Sequence, residues 1–370
     1  MKMIFSKKIL SAVDKTKRIA LAGLAKKNQK QQTYPIVKKD LLCIPRCPFC
    51  QSSRLKHLAE VSLISGLLFF RTSVCQNCVF VFRSISPSFA WFKKCWRMID
   101  NGKLEVFNPE AEKYKKFRYQ EYLAIVKKYL SRGSALEIGG GYGTGTKLFQ
   151  QAGFDMEVIE SEVSKARYIQ EHLGIPVVDD DIFHFLNSTN KKYNLILFSN
   201  CLEHLDHPIA VMKKLKQILK PGGVVLVAVP ILWDYVIWTD ALYLTHKVNF
   251  SQEHLLALSV NSSFETLEMK NVPYVFDNSQ EILLILRAAA RPSPISLKLT
   301  SRQQKELVNE IAGLYHSKLP FSSKLVKNVI KYQVPHIDQF FQTVNLENKI
   351  IIPPHSQKGF IKIIPKYTKK

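Results

Sequence analysis

The sequence predicts an α/β protein in which a mainly parallel sheet is covered by helices on both faces. Three observations predict it. From residue 134 to about 288, short apolar runs alternate with stretches of helical periodicity, the pattern of strands joined by crossover helices. The runs "YNLILFS" and "VVLVAV" are almost wholly apolar, as strands buried on both faces are. The first run climbs into "GGGYGTG", Gly139 to Gly145, and a glycine turn between strand and helix lets a ligand approach bare backbone.

The elements follow in order. "SALEI" is a strand, and after the glycine turn a helix runs from Thr144 to Ala152. "MEVIE" is a strand, with a helix from Val163 to His172, and "PVVD" is a short strand. "YNLILFS" precedes the helix "PIAVMKKLKQILK", and "PGG" turns the chain into "VVLVAV". "FETLEM" and "EILLILRA" are the last two strands, making seven. Upstream, residues 87–132 form a helical connector that Ser131-Arg132-Gly133 stops. Residues 41–86 carry paired cysteines. Residues 1–40 form a basic leader in which Phe5, Ile9, Val13, Ala20 and Leu24 recur near helical spacing between lysines, a disordered tail or an amphipathic surface helix. Residues 291–370 open on the linker "RPSPIS", and a helix is expected around Arg302–Tyr315.

At 46% apolar residues in 370, the chain can bury a core. No apolar run approaches the roughly 20 residues that a bilayer requires. Asp14 and Lys15 interrupt the N-terminal apolar stretch, which argues against a secretory leader and for the cytoplasm. The net charge of +23 lies at the ends: residues 1–40 hold 11 Lys/Arg against 2 Asp/Glu, residues 291–370 hold 14 against 4, and residues 41–290 hold 28 against 24. Basic ends suit nucleic acid or the anionic inner membrane face, where they would give peripheral contact, and equally a solvated lysine-rich extension.

Three glycine-rich motifs compete at the turn. A dinucleotide fingerprint needs glycines at i, i+2 and i+5, and Thr144 or Thr146 falls at the third place. A phosphate loop needs lysine where Thr146 stands. What is present is Glu137 followed by Gly139, Gly141 and Gly143. This "ALEIGGGYGTGTKLF" resembles motif I of class I methyltransferases, which bind S-adenosylmethionine (SAM). The resemblance covers residues 134–288 and implies a Rossmann-like, doubly wound, mainly parallel seven-stranded sheet. It also implies a cofactor site of Glu137, Gly139, Gly141, Gly143, Glu160, Asp181, Ile182 and Asn200. Glu160 ends the second strand, 21 residues past Gly139, where a carboxylate accepts from ribose hydroxyls. In "DDDIF", Asp181 (or Asp180 in the other register) would meet the adenine amino group and Ile182 the ring. "FSNCLEHLDHP" and "LKPGGVVLVAVP" resemble the family's segments around strands four and five. SAM carries a diol, a carboxylate and an ammonium but no phosphate, so a phosphate-binding lysine is not needed.

The pairs Cys47/Cys50 and Cys75/Cys78 form C-x2-C repeats 24 residues apart, a spacing that suits a tetrahedral zinc site. A disulfide pair, a redox dithiol and chance spacing are the alternatives. Cys43 is a spare ligand. The pattern resembles the "CPxCGS…CxxCGLVF" start of bacterial sugar and polysaccharide methyltransferases, with Gln51 and Val79 replacing the usual glycines.

Candidate acceptor-side residues are Glu203 and His204, with His207 nearby, and the pair Tyr243 and His246. The segment "YLTHKVNFS" resembles the "Y-x-x-H-x-x-x-F-S" of sugar C-methyltransferases, where tyrosine and histidine flank the acceptor. Thr245 stands where that family has a glutamate, which favours oxygen or nitrogen over carbon as acceptor. The expected activity is methyl transfer to a sugar, nucleotide-sugar or related small metabolite of surface-polysaccharide biosynthesis. An RNA methyltransferase and a non-catalytic interaction module are the alternatives.

Overall fold

Two sheets organise the chain. The computed structural model describes residues 38–62, 68–93, 109–179, 181–231, 246–273, 280–289, 299–318 and 361–363. After a 3-10 turn at Lys38–Asp40 come strands β1 (Leu41–Cys43), β2 (Leu55–Ser62), β3 (Leu68–Cys75) and β4 (Val81–Pro87). Helix α1 (Pro109–Val126) leads to β5 (Gly133–Ile138), α2 (Thr144–Gln151), β6 (Phe154–Ile159), α3 (Val163–Leu173), β7 (Val177–Asp179) and α4 (Ile182–Ser188). Then follow β8 (Tyr193–Ser199), a 3-10 turn at Leu202–His204, α5 (Pro208–Gln217) and β9 (Leu219–Pro230). The remaining elements are β10 (Val248–Asn249), α6 (Gln252–Asn261), β11 (Phe264–Pro273), β12 (Gln280–Ala288), α7 (Ser301–Lys318) and β13 (Ile361–Ile363).

The larger sheet has the order β11-β12-β9-β8-β5-β6-β7. The five strands from β9 to β7 pair in parallel, and β12 and β11 are antiparallel. This is the Rossmann-like methyltransferase fold. Side chains alternate between its faces. Leu136, Ile196, Phe198, Val225 and Val227 face a core with Phe185 of α4, Met212 of α5 and Leu255 of α6. Ala135, Leu195, Leu197, Val224 and Leu226 face Tyr119 and Tyr122 of α1, Phe149 of α2 and Ile169 of α3. The strand order reverses between β5 and β8, and an open α/β sheet binds ligands beyond the carboxyl ends of its strands at that place.

The smaller sheet is antiparallel, in the order β1-β4-β3-β2-β13, with β10 also on β4. Its Phe49, Phe80 and Phe82 share the core of the first sheet face. Its opposite face, with Leu58, Val74, Val79 and Val81, is covered by Val308, Ile311 and Ala312 of α7. The helix expected around Arg302–Tyr315 therefore exists, runs Ser301–Lys318, and closes the cysteine-bearing sheet. The stretch 246–250 links the two sheets. Val248 and Asn249 pair with Phe82 and Val81 of β4, and Phe250 bridges to Ile231 just past β9.

Two details differ from the sequence expectation. Helix α5 ends at Gln217 rather than continuing through "ILK". The expected "PGG" turn lies inside β9, where the register jumps from Tyr193↔Leu219 to Leu195↔Val224. The chain loops out over 220–223, so Pro221 supplies no ladder hydrogen bond and the strand continues. The amphipathic leader falls on residues 1–37, outside the described residues. Among the described residues, no helix is long and apolar enough to cross a membrane.

Candidate functional site

The glycine turn caps the carboxyl end of β5. Gly139 has φ 77°, and a Cβ there would stand 2.1 Å from the Cys201 Sγ. Only glycine fits, for conformation and for space. Gly141 has φ 57°, and its N–H donates to the Glu160 carboxylate at 2.7 Å. Glu160 also accepts from the Glu162 N–H at 2.9 Å. Turn and acid are thus held face to face at the switch between strands. Gly143 starts α2 and packs against α3, a Cβ there falling 2.5 Å from Leu173.

One cavity borders this turn and a second borders Glu160 and α3. The first, of about 290 Å³, is walled by Gly139 and Gly141, by Lys115 and Arg118 of α1, and by Asn200, Glu203, His204 and His246. The second, of about 390 Å³, lies between Glu160 and the residues Val177, Val178 and Asp179 of β7.

Several expected residues are used differently. Glu137 lies beneath the turn, buried at 1% exposure, and accepts from Tyr119 Oη at 2.6 Å and from Thr146 Oγ1. Burial pushes its carboxyl up to about 7. It braces the turn and does not line either cavity. Asp181 is spent on α4, whose Phe183 and His184 N–H groups it caps at 2.8 and 3.3 Å, and on Lys93 at 3.5 Å. Ile182 packs in the core at 5% exposure. The acid facing the cavity from this segment is Asp179, two residues earlier than expected. Asp180, Tyr243 and Thr245 lie outside the described residues.

Asn200 occupies the left-handed region at φ 51°, which asparagine tolerates better than most residues. Its amide donates to Glu281 at 3.2 Å. Glu281 is fully buried, accepts from Tyr122 Oη, and pairs with Arg118 at 3.5 Å. Burial pushes the Glu281 carboxyl up. This network, which sets Arg118 and Asn200 on the cavity wall, was not anticipated. Its one sequence signal is a glutamate opening the apolar run "EILLILRA".

On the acceptor side, Glu203 and His246 are buried and His204 is half-buried. The two imidazoles meet edge to face with centroids 4.9 Å apart. Lys247 fixes His246 in place. Its N–H donates to the Glu203 carbonyl at 2.7 Å, and its carbonyl accepts from Arg83 N–H of β4 at 2.8 Å. Its ammonium reaches Ser86 at 2.6 Å and Asp206 at 3.4 Å, while burial lowers its pKa to about 8. Strand β4, which follows the Cys75/Cys78 knuckle, thereby holds the segment that carries His246.

The four cysteines come together. Cys47 and Cys78 sulfurs are 3.6 Å apart and those of Cys50 and Cys75 3.5 Å. A tetrahedral zinc with bonds of about 2.3 Å would set sulfurs about 3.8 Å apart, so the donor set fits. Backbone N–H groups of Phe49 and Asn77 point at Cys47 and Cys75 sulfurs at 3.4 Å. Donation from the Cys47 thiol, above all, lowers Cys50 and Cys75, while the same mutual hydrogen bonds push Cys47 and Cys78 up, so the four thiols share their protons as one cluster. Gln51 and Val79 keep positive φ, 62° and 64°, the conformation that glycine would adopt without strain. His254 of α6, kept neutral by burial with its pKa lowered to about 4, contacts the Cys78 carbonyl through Nε2 at 2.8 Å. Cys43 is exposed and outside the cluster.

Residues 114–268 match the model of a methyltransferase domain family. Among solved structures, an N-methyltransferase NodS from Bradyrhizobium japonicum WM9 in complex with S-adenosyl-L-homocysteine (SAH) aligns at 16% identity over 52% of this chain and 98% of that one, with a TM-score of 0.43. A SAM-dependent methyltransferase from Clostridium acetobutylicum ATCC 824 aligns at 12% identity over 54% and 99%, with a TM-score of 0.39. No curated protein gives a significant match.

Proposed function

We propose that this chain, a SAM-dependent methyltransferase by its domain and fold, methylates a sugar, nucleotide-sugar or related small metabolite. The observation that carries the reading is the pairing of Gly141 with Glu160 across the β5/β6 edge, beside two cavities. Glu160 offers oxygen acceptors to the ribose hydroxyls, and Asp179 offers one on the adenine side. Gly139 and Gly141 present bare backbone on the cavity wall to the chain of the ligand. Arg118 and Lys115 face its carboxylate, and Asn200 and Ser199 face its ammonium.

SAM supplies a methyl carbon already activated by a sulfonium. The protein therefore needs to orient the acceptor in line and take its proton. His246 and His204, with Glu203 beside them, are the bases within the acceptor-side cavity, and Tyr243 flanks the acceptor as the family resemblance implies. The near-balanced charge of residues 41–290 and the modest cavity size favour a small acceptor over RNA. Cys47, Cys50, Cys75 and Cys78 hold a structural zinc that ties their knuckles to β4 and so to His246. The enzyme works in the cytoplasm, and its basic ends give it contact with an anionic surface.

Purified protein incubated with methyl-labelled SAM and fractionated extract tests the reading. Label should enter sugars or lipid-linked glycans. Label confined to RNA would overturn the acceptor assignment.

A further inference from the structure

We propose that Glu203, His204 and His246 form a binding site for a first-row divalent cation on the acceptor side of the pocket. The inference rests on the methyltransferase reading of that pocket and names a second ligand for it.

One carboxylate oxygen and two imidazole nitrogens lie within 4.8 Å of one another. The His204 Nε2 and a Glu203 oxygen are 3.8 Å apart, too far for a hydrogen bond between them. Donors on one ion with bonds of about 2.1 Å stand about 3 Å apart when adjacent and about 4 Å apart when opposite. The separation of His204 and Glu203 falls within that range. The imidazoles likewise meet as rings, at 4.9 Å between centroids.

The donors are assembled by the backbone. Glu203 and His204 share one 3-10 turn, and the Lys247 N–H bond to the Glu203 carbonyl brings His246 alongside. The nearby Lys247 ammonium is turned to Ser86 and Asp206. Two of the three donor residues are buried, so a cation there would be desolvated on the protein side and held by a fixed set. The third, His204, is part-exposed on the cavity wall. Two histidines and one carboxylate leave coordination positions open toward that cavity, as in metal sites that bind a substrate oxygen. The ligand class that follows is an acceptor with an oxygen donor: with the ion bound the two imidazoles are ligands rather than bases, and the acceptor hydroxyl, acidified on the ion, loses its proton to solvent.

The test uses the full chain with zinc first loaded at the cysteines. Mn2+ is the probe, because oxygen and imidazole donors take it while thiolates prefer zinc. Electron paramagnetic resonance of free Mn2+ should show one bound ion per chain. The affinity should fall by about tenfold or more in His246→Gln and Glu203→Gln, and also in the half-exposed His204→Gln, which perturbs the core least. Absence of Mn2+ binding, or binding equal in wild type and all three variants, overturns the site. SAH binding measured on the same samples separates the two ideas: SAH without Mn2+ rejects the cation site alone, and Mn2+ without SAH rejects the reading of the pocket.

Discussion

Replacing Glu137 by glutamine should remove a pH dependence of stability that wild type shows. The carboxyl sits under the glycine turn at 1% exposure, and its pKa rises from 4.5 to about 7, mainly through burial. The folded state therefore binds the proton more tightly than the unfolded chain. The stability this group confers is fully present below pH 4.5 and is lost as pH rises through about 7. The gap between 4.5 and about 7, at about 1.4 kcal/mol per pH unit, is worth about 3 kcal/mol. Glutamine keeps an acceptor for Tyr119 but turns one terminal atom into a donor, which disturbs the Thr146 bond at about 1 kcal/mol. At pH 8 the variant should thus be about 2 kcal/mol more stable than wild type, and at pH 5 slightly less stable. Urea unfolding at both values measures this. Parallel profiles for the two proteins would refute the claim that a desolvated carboxyl braces the turn.

Other consequences follow from the same geometry. Gln51 is exposed with φ 62°, so Gln51→Gly should stabilise by about 0.5–1 kcal/mol as left-handed strain is relieved; a lower melting temperature would contradict it. Val79 has similar strain but packs against Leu58, Val308 and Ile311, so Val79→Gly should instead destabilise by about 1–2 kcal/mol, seen in the same melts. Stripping metal from the cysteines should depress methyl transfer more than SAH affinity, because β4 holds the His246 segment rather than the glycine turn; equal losses in both would count against that coupling. Arg118→Met should weaken SAH binding by about tenfold and destabilise the fold, since it leaves buried Glu281 without its cation; unchanged affinity in a titration would remove Arg118 from the pocket.

The parts of the fold that depend on local pattern were legible in the sequence. Apolar runs and helical periodicity mark β5 to β9 and their helices, and Gly139 to Gly143 and Glu160 mark the carboxyl ends of β5 and β6, because strand termini and glycine turns are short-range features. Long-range pairings carry no such mark. Glu281 meets Arg118 across 163 residues, and Val248 joins β4 more than 160 residues back, so neither the network behind Asn200 nor the docking of the cysteine sheet could be read from spacing. The run "DDDIF" illustrates a finer failure. Three adjacent acids are equivalent as letters, and only the helix start decides that Asp181 caps α4 while Asp179 faces the cavity. The segment around "PGG" shows the same: local turn chemistry is real, but the ladder to β8 absorbs it as a bulge.

The most direct measurement is calorimetric titration of the folded, zinc-loaded protein with SAH. Wild type should bind one equivalent, and Glu160→Ala should lose most of that affinity while remaining folded by circular dichroism at the titration temperature. A flat titration for wild type, or full affinity without the Glu160 carboxylate, would contradict the claim that the Gly139–Gly143 turn and this acid together grip a sulfonium nucleoside.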